Sequence, residues 1–343
     1  MTPKDIHKIA DKMGVKWDGD KNFMSWCQDT VGKRHLDDMT DVELTMIYSR
    51  LKNGKYPQSY LQECTVVGAK VNGDVVIAKN RDRNYYPKIK IVHELINDIE
   101  VAYMLDLDTD YSEGMNEYGI GIVNATLQGE MDEKDKVKAV KTKVQSKDGF
   151  KIRHALGLKN VADVIESIVT FTGYSDGEKS LSGKPTALNG HTIVGTQKNI
   201  FFVENISNRP PIIKKLKRSK VIVRTNHGEV YSHAGYQKGI DRKSSLMRQL
   251  ITYKLMNKVH SPGEILPVMN KKYTVPGWAN PRRYDYKLWT SSQILMNMTK
   301  LELTLVVDKD TEFLGVERRF PETHKSKIKI NIEYEHNLSL IHI

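Results

Sequence analysis

The chain has 343 residues, with 53 Lys/Arg against 42 Asp/Glu and only two cysteines, Cys27 and Cys64. That length can bury a sizeable core in one large domain or two ordinary ones. The cysteine count excludes a disulfide framework and a zinc ribbon, and no run of 18 apolar residues or signal-like start is present, so a soluble cytoplasmic protein is expected.

The charge is unevenly spread. Residues 1–63 hold ten Lys/Arg and ten Asp/Glu, so the whole excess of +11 lies from Cys64 onward. Its lysines are scattered through KDKVKAVKTKVQSK (134–147), IIKKLKRSK (212–220) and HKSKIKI (324–330), without zinc-finger spacing or an RNA-binding aromatic signature. Solvated faces are favoured over a nucleic-acid site.

Residues 1–63 read as a small helical unit. Thr2-Pro3 starts a helix with Ile6, Ile9, Ala10 and Met13 on one face, and Gly14 stops it. Thr40 with Glu43 forms a capping box ahead of a second helix, whose Leu44, Ile47 and Leu51 share a face. KYPQSYLQE is then a turn-prone approach to Cys64.

The stretch CTVVGAKVNGDVVIAKNRD (64–82) predicts a hairpin. Val66, Val67, Val71, Val75, Val76 and Ile77 are β-branched, and Asn72-Gly73 supplies the tight turn. A cysteine heading one strand and Asn80-Arg81-Asp82 closing the next put a thiol beside ionisable groups. Further strands follow at KIKIVHELINDIEVAYMLDLDTDY (88–111), and EGMNEYGIGIVNATL (113–127) predicts another hairpin. The charged run 129–149 reads as an exposed insertion, 159–171 as an amphipathic helix with Val161, Val164, Ile165 and Ile168 inward, and 173–185 as a loop.

GHTIVGTQKNIFFVEN (190–205) predicts two strands around a turn, with His191 structural. VIVRTNHGEVYSHAG (221–235) is a strand running into Asn226 and Gly228, which on their own make a turn. DRKSSLMRQLITYKLM (241–256) predicts a helix, PGEILPVMNKKY (262–273) a short one, 275–286 a loop, and SSQILMNM with LELTLVVDK two strands. LSLIHI (338–343) is what a transposase end sequence used in library preparation would encode, so it is assigned no role.

The Cys-Thr start with its hairpin and AKNRD, the GMNE block, the 190–205 pair and VIVRTNH stand in one order. In that order the chain resembles the choloylglycine hydrolase, penicillin V acylase, penicillin acyltransferase and acid ceramidase group of N-terminal nucleophile (Ntn) hydrolases. Departures include AKNRD for a corner usually close to GRN-x-D, and Thr196 and Asn199 where an Asp and a Gly are usual.

The resemblance implies an α+β, four-layer αββα sandwich of two mainly antiparallel sheets over 64–337, with 1–63 a helical propeptide or leader. An ordinary helical subdomain is the alternative for 1–63. It implies self-cleavage between Glu63 and Cys64, which frees Cys64 as nucleophile. A free α-amine titrates at about 7.7–8.0 and a thiol at about 8.5, so one residue can be both base and nucleophile. Asp82 would orient that amine, and Lys79 and Arg81 would favour the thiolate unless they are merely surface charges. Asn226 and a backbone N–H between Asn124 and Thr126 would hold the oxyanion, and of the two arginines on the 241–256 helix Arg242 fits better than Arg248.

The expected activity is hydrolysis of a linear non-peptide C–N bond in a small acyl amide, without cofactor or metal. An acyltransferase built on the same residues, an inactive binding protein on the same fold and a basic nucleic-acid binder are the alternatives. A homo-oligomer is left open.

Overall fold

A computed structural model describes residues 2–12, 23–24, 27–28, 31–52, 62–83, 87–127, 148–170, 188–206, 209–216, 220–232, 234–236, 239–272, 277–283, 288–309, 311–321 and 323–334. The predicted insertion up to 147, the loop 173–185 and the tail 338–343 lie outside them.

Two N-terminal helices, α1 (Pro3–Lys12) and α2 (Asp41–Lys52), share a small core of Ile6, Ala10, Phe23, Cys27, Leu36, Leu44, Ile47 and Leu51. Burial pushes the Cys27 thiol up to about 12, so it is inert at neutral pH. The capping box forms: Thr40 N–H donates to Glu43 Oε2 at 2.7 Å, and Glu43 N–H donates to Thr40 Oγ1 at 3.4 Å.

The predicted first hairpin is β1 (Gln62–Val71) and β2 (Asp74–Arg83), joined by Asn72 and Gly73 at φ 47° and 84°. Positive φ at both central residues matches the right-handed twist of the strands. The next strands are β3 (Lys88–Ile96), β4 (Ile99–Asp106), β5 (Tyr111–Asn116) and β6 (Gly121–Ala125), followed by α3 (Asp148–Leu156) and α4 (Val161–Thr170). The α3 helix was not expected, because it follows the charged run and carries Gly149 in its first turn. That glycine has a tertiary cause: a Cβ there would lie 1.7 Å from the Asp110 carbonyl oxygen.

Then come β7 (Gly190–Gly195), β8 (Ile200–Asn205), β9 (Ile212–Lys215), β10 (Val221–Arg224), α5 (Gly239–Met256), α6 (Ile265–Met269), β11 (Trp289–Asn297), β12 (Glu302–Val307), β13 (Glu312–Arg319) and β14 (Lys329–Tyr334). One sheet runs β10-β1-β2-β11-β12-β14 and the other β13-β3-β4-β5-β6-β7-β8-β9. All pairings are antiparallel except β12 with β14 and β13 with β3. Those two strands were not foreseen.

Three apolar layers hold the sheets. Val66, Ile77, Ile91, Met104, Val123, Ile193 and Met296 fill the space between them. Val164, Ile165 and Ile168 of α4 and Ile152 of α3 cover the larger sheet, while Met256, Ile265 and Met269 cover Val67, Ala69, Val76 and Ala78 of the smaller. The architecture is therefore α+β, in four layers, as the resemblance implied. The basic runs at 212–220 and 324–330 contribute to β9 and β14, which are edge strands, as β13 is. Exposed lysines on an edge discourage pairing with another chain. Among the described residues no helix is long and apolar enough to cross a membrane.

Candidate active site

Strand alternation divides the polar residues of the first hairpin between two sides. Cys64 and Val66 face the layer between the sheets, whereas Val67 and Ala69 face α5 and α6. Pairing sets Cys64 opposite Arg81 and Glu63 opposite Asp82. Cys64 therefore shares its side with Arg81 and Lys79, and Glu63 shares the other with Asp82.

On the Cys64 side, Lys79 pairs with Glu113 of β5. Arg81 reaches Glu113 at 2.8 Å and Asp106 of β4 at 2.7 Å. All four side chains are fully buried, so Lys79 and Arg81 are not surface charges. Burial alone would raise the Glu113 carboxyl, but Arg81 and Lys79 outweigh it and hold it below its ordinary value. The Tyr111 ring packs under both cations, 4.4 Å from Lys79 Nζ and 5.3 Å from Arg81 Cζ. Its hydroxyl donates to Asn124 Oδ1 at 2.7 Å. Burial and then the negative charge of Glu113 push that hydroxyl well above its usual range, so it stays protonated.

On the opposite side the organising residue is Arg248 of α5. Its Nη1 donates to the Cys64 carbonyl at 3.0 Å, to Thr65 Oγ1 at 3.0 Å and to Asp82 Oδ2 at 3.2 Å. Its Nη2 donates to Glu63 Oε2 at 2.7 Å and Asn226 Oδ1 at 3.3 Å. Thr290 of β11 completes Asp82 by donating to Oδ1 at 2.7 Å. The expectation that favoured Arg242 is thereby corrected: Arg242 is only half-buried and donates to the Tyr236 carbonyl at 3.0 Å. It sits in the helix's first turn, whereas Arg248 is two turns on, where the helix crosses β1.

Asn226 joins the two sides. Its Oδ1 accepts the Cys64 backbone N–H at 2.9 Å, and its Nδ2 donates to the Thr126 carbonyl at 2.9 Å, so it does more than make a turn. Its own backbone is clamped, with N–H donating to Ser245 Oγ at 2.9 Å and the carbonyl accepting Tyr236 N–H at 3.0 Å. The 124–126 segment, at the end of β6, thus lies against Asn226.

The neighbouring histidines support this loop. His191 Nδ1 donates to the Thr225 carbonyl at 2.9 Å, and its Nε2 is 3.2 Å from Glu204. Burial would raise Glu204, but His191 and the N–H groups of Tyr231 and Val230 outweigh it and bring it to about 2. His227 is 2.8 Å from Ser245 Oγ; burial first, then His191, lower it to about 4.

Sequence reasoning missed Asp106, Tyr111, Glu113, Tyr236, Arg283 and Thr290. Only Glu113 carried a signal, as the residue immediately before the GMNE block (114–117). Among the described residues no group of three or more His, Cys, Asp or Glu side chains is placed to hold a metal ion.

No family model matches the chain, and no curated protein matches it. Among solved structures it is similar to penicillin V acylase from Agrobacterium tumefaciens, at 11% identity and a TM-score of 0.40, over 78% of this chain and 99% of that one.

Proposed function

We propose that this chain cleaves itself between Glu63 and Cys64 and then hydrolyses a linear non-peptide amide through an acyl-enzyme on Cys64. The observation that carries this reading is the convergence on Cys64: its N–H on Asn226 Oδ1 at 2.9 Å, and its carbonyl bound to the same Arg248 guanidinium as Asp82.

In the processing step the Cys64 thiol adds to the Glu63 carbonyl carbon, whose oxygen has Arg83 Nη1 at 3.4 Å. The C–N bond breaks as nitrogen takes up the thiol proton, leaving a thioester and a free amine on Cys64. Water then releases the Glu63 carboxylate and regenerates the thiol.

In the mature site the Cys64 amine takes the thiol proton and the sulfur attacks the substrate carbonyl. Asn226 Nδ2 has two hydrogens and gives one to Thr126, so the second is available to the oxyanion, beside a backbone N–H of 124–126. The ammonium returns its proton to the departing amine, and water hydrolyses the thioester. Buried Lys79 and Arg81, paired with Glu113 and Asp106, line the Cys64 side, and Asp82 with Asn226 Oδ1 holds the amine on the other.

Intact mass and amino-terminal sequencing of the purified chain test this reading. Wild type is expected to begin at Cys64 and Cys64→Ala to stay whole. A wild-type chain that is folded yet uncut sinks it.

A further inference from the structure

Glu63 is 1% exposed, yet both its carboxylate oxygens are bound. Oε2 accepts from Arg248 Nη2 at 2.7 Å and from Arg283 Nη1, and Oε1 accepts the Tyr236 hydroxyl at 2.7 Å. These donors come from α5, from the segment before β11 and from the loop after Asn226. The cradle therefore belongs to the body of the fold, whereas the carboxylate in it belongs to the residue that precedes Cys64. Burial and then the Glu63 charge keep the Tyr236 hydroxyl protonated, hence a donor.

We propose that this cradle, once Glu63 has left, binds a carboxylate carried on the acyl half of the amide substrate. The inference rests on the cleavage reading above and goes beyond it by naming the acyl class. Glu63 is itself the acyl half of the bond that Cys64 would break first. Its side-chain carboxylate is separated from the attacked carbonyl carbon by Cα, Cβ and Cγ, and the acyl group with that spacing and no amino substituent is glutaryl.

Departure of Glu63 removes a carboxylate from beside Arg248 and Arg283 and leaves a new ammonium at Cys64. An anion of the same reach restores the balance, and a buried cation accepts an apolar replacement poorly. The reaction is glutaryl amide plus the Cys64 thiol giving S-glutaryl-Cys64 and free amine, then water giving glutarate and the thiol.

The test uses purified full-length chain whose cleavage state has been established by mass. Glutaryl p-nitroanilide and pentanoyl p-nitroanilide share acyl length and leaving group and differ in the terminal carboxylate. A preference of about a hundredfold or more in kcat/KM for glutaryl is expected, since a site built to hydrogen-bond a carboxylate discriminates strongly against the analogue that lacks it. Arg283→Met and Tyr236→Phe should each shrink that ratio. Equal or faster use of the pentanoyl compound by cleaved enzyme overturns the cradle and leaves the cleavage reading standing.

If cleaved enzyme turns over neither compound, protection decides: glutarate should slow iodoacetamide labelling of Cys64 and pentanoate should not. Equal labelling rates overturn the proposal. A chain that never cleaves keeps Glu63 in the cradle and removes both ideas together.

Discussion

The two sides of the first hairpin solve the same problem differently. Toward the larger sheet, Lys79 and Arg81 are neutralised by carboxylates from β4 and β5, so charge pairing there also ties one sheet to the other. Toward α5, a single guanidinium serves two carboxylates, a backbone carbonyl and the Asn226 amide. Adjacent residues in one strand, Glu63 and Cys64, thus enter separate networks. The first side is a fixed electrostatic wall beside the thiol, while the second includes one partner, Glu63, that lies across the proposed cleavage point.

The sharpest way to break the comparison is Arg248→Met. It takes from Glu63 and Asp82 the cation they share, leaving Glu63 with Arg283 and Tyr236 and Asp82 with Thr290. In the uncut Cys64→Ala chain a loss of about 3–5 kcal/mol is expected in denaturant unfolding, as for a buried pair deprived of one partner. A loss under 1 kcal/mol would mean that this side is not organised by Arg248.

Acid offers the next largest effect, again on the Asn226 side. Unfolded His227 takes a proton near 6.5, whereas folded His227 does so only near 4. Between those values the unfolded state binds more protons, so stability is full above 6.5 and is lost as pH falls toward 4, by up to about 3 kcal/mol. Glu204, depressed to about 2, adds a separate loss as pH falls from about 4.5 to 2. Thermal unfolding against pH should show the first window flattened in His227→Asn and the second retained.

Smaller differences sharpen the contrast. In the uncut Cys64→Ala chain, Tyr236→Phe removes a hydrogen bond to a charged group and should cost about 1.5–3 kcal/mol, whereas Tyr111→Phe removes one to the neutral Asn124 amide and should cost about 0.5–1.5 kcal/mol. Unfolding midpoints measured side by side check the order, and its reversal would mean that the Glu63 cradle contributes less than its geometry suggests.

Much of the fold was legible because the signals were local. Asn72-Gly73, the Thr40/Glu43 box, the alternating strands at 190–205 and the inward face of 161–170 each depend on neighbours a few residues away. The strands β13 and β14 were not legible: they are exposed edges, rich in charge, that pair in parallel with β3 and β12, and nothing within them announces those partners.

The candidate site divides along the same line. The residues Cys64, Lys79, Arg81 and Asp82 stand on one hairpin, and period-two alternation together with a two-residue turn determines which of them share a side. Tertiary structure alone decided that Arg248 rather than Arg242 reaches them, that Glu113 and Asp106 neutralise the cations, and that Asn226 accepts the N–H of a residue 162 positions away. Those choices follow from which strand stacks over which and where α5 crosses the sheet, and such distances are set by packing between layers rather than by any local run of residues.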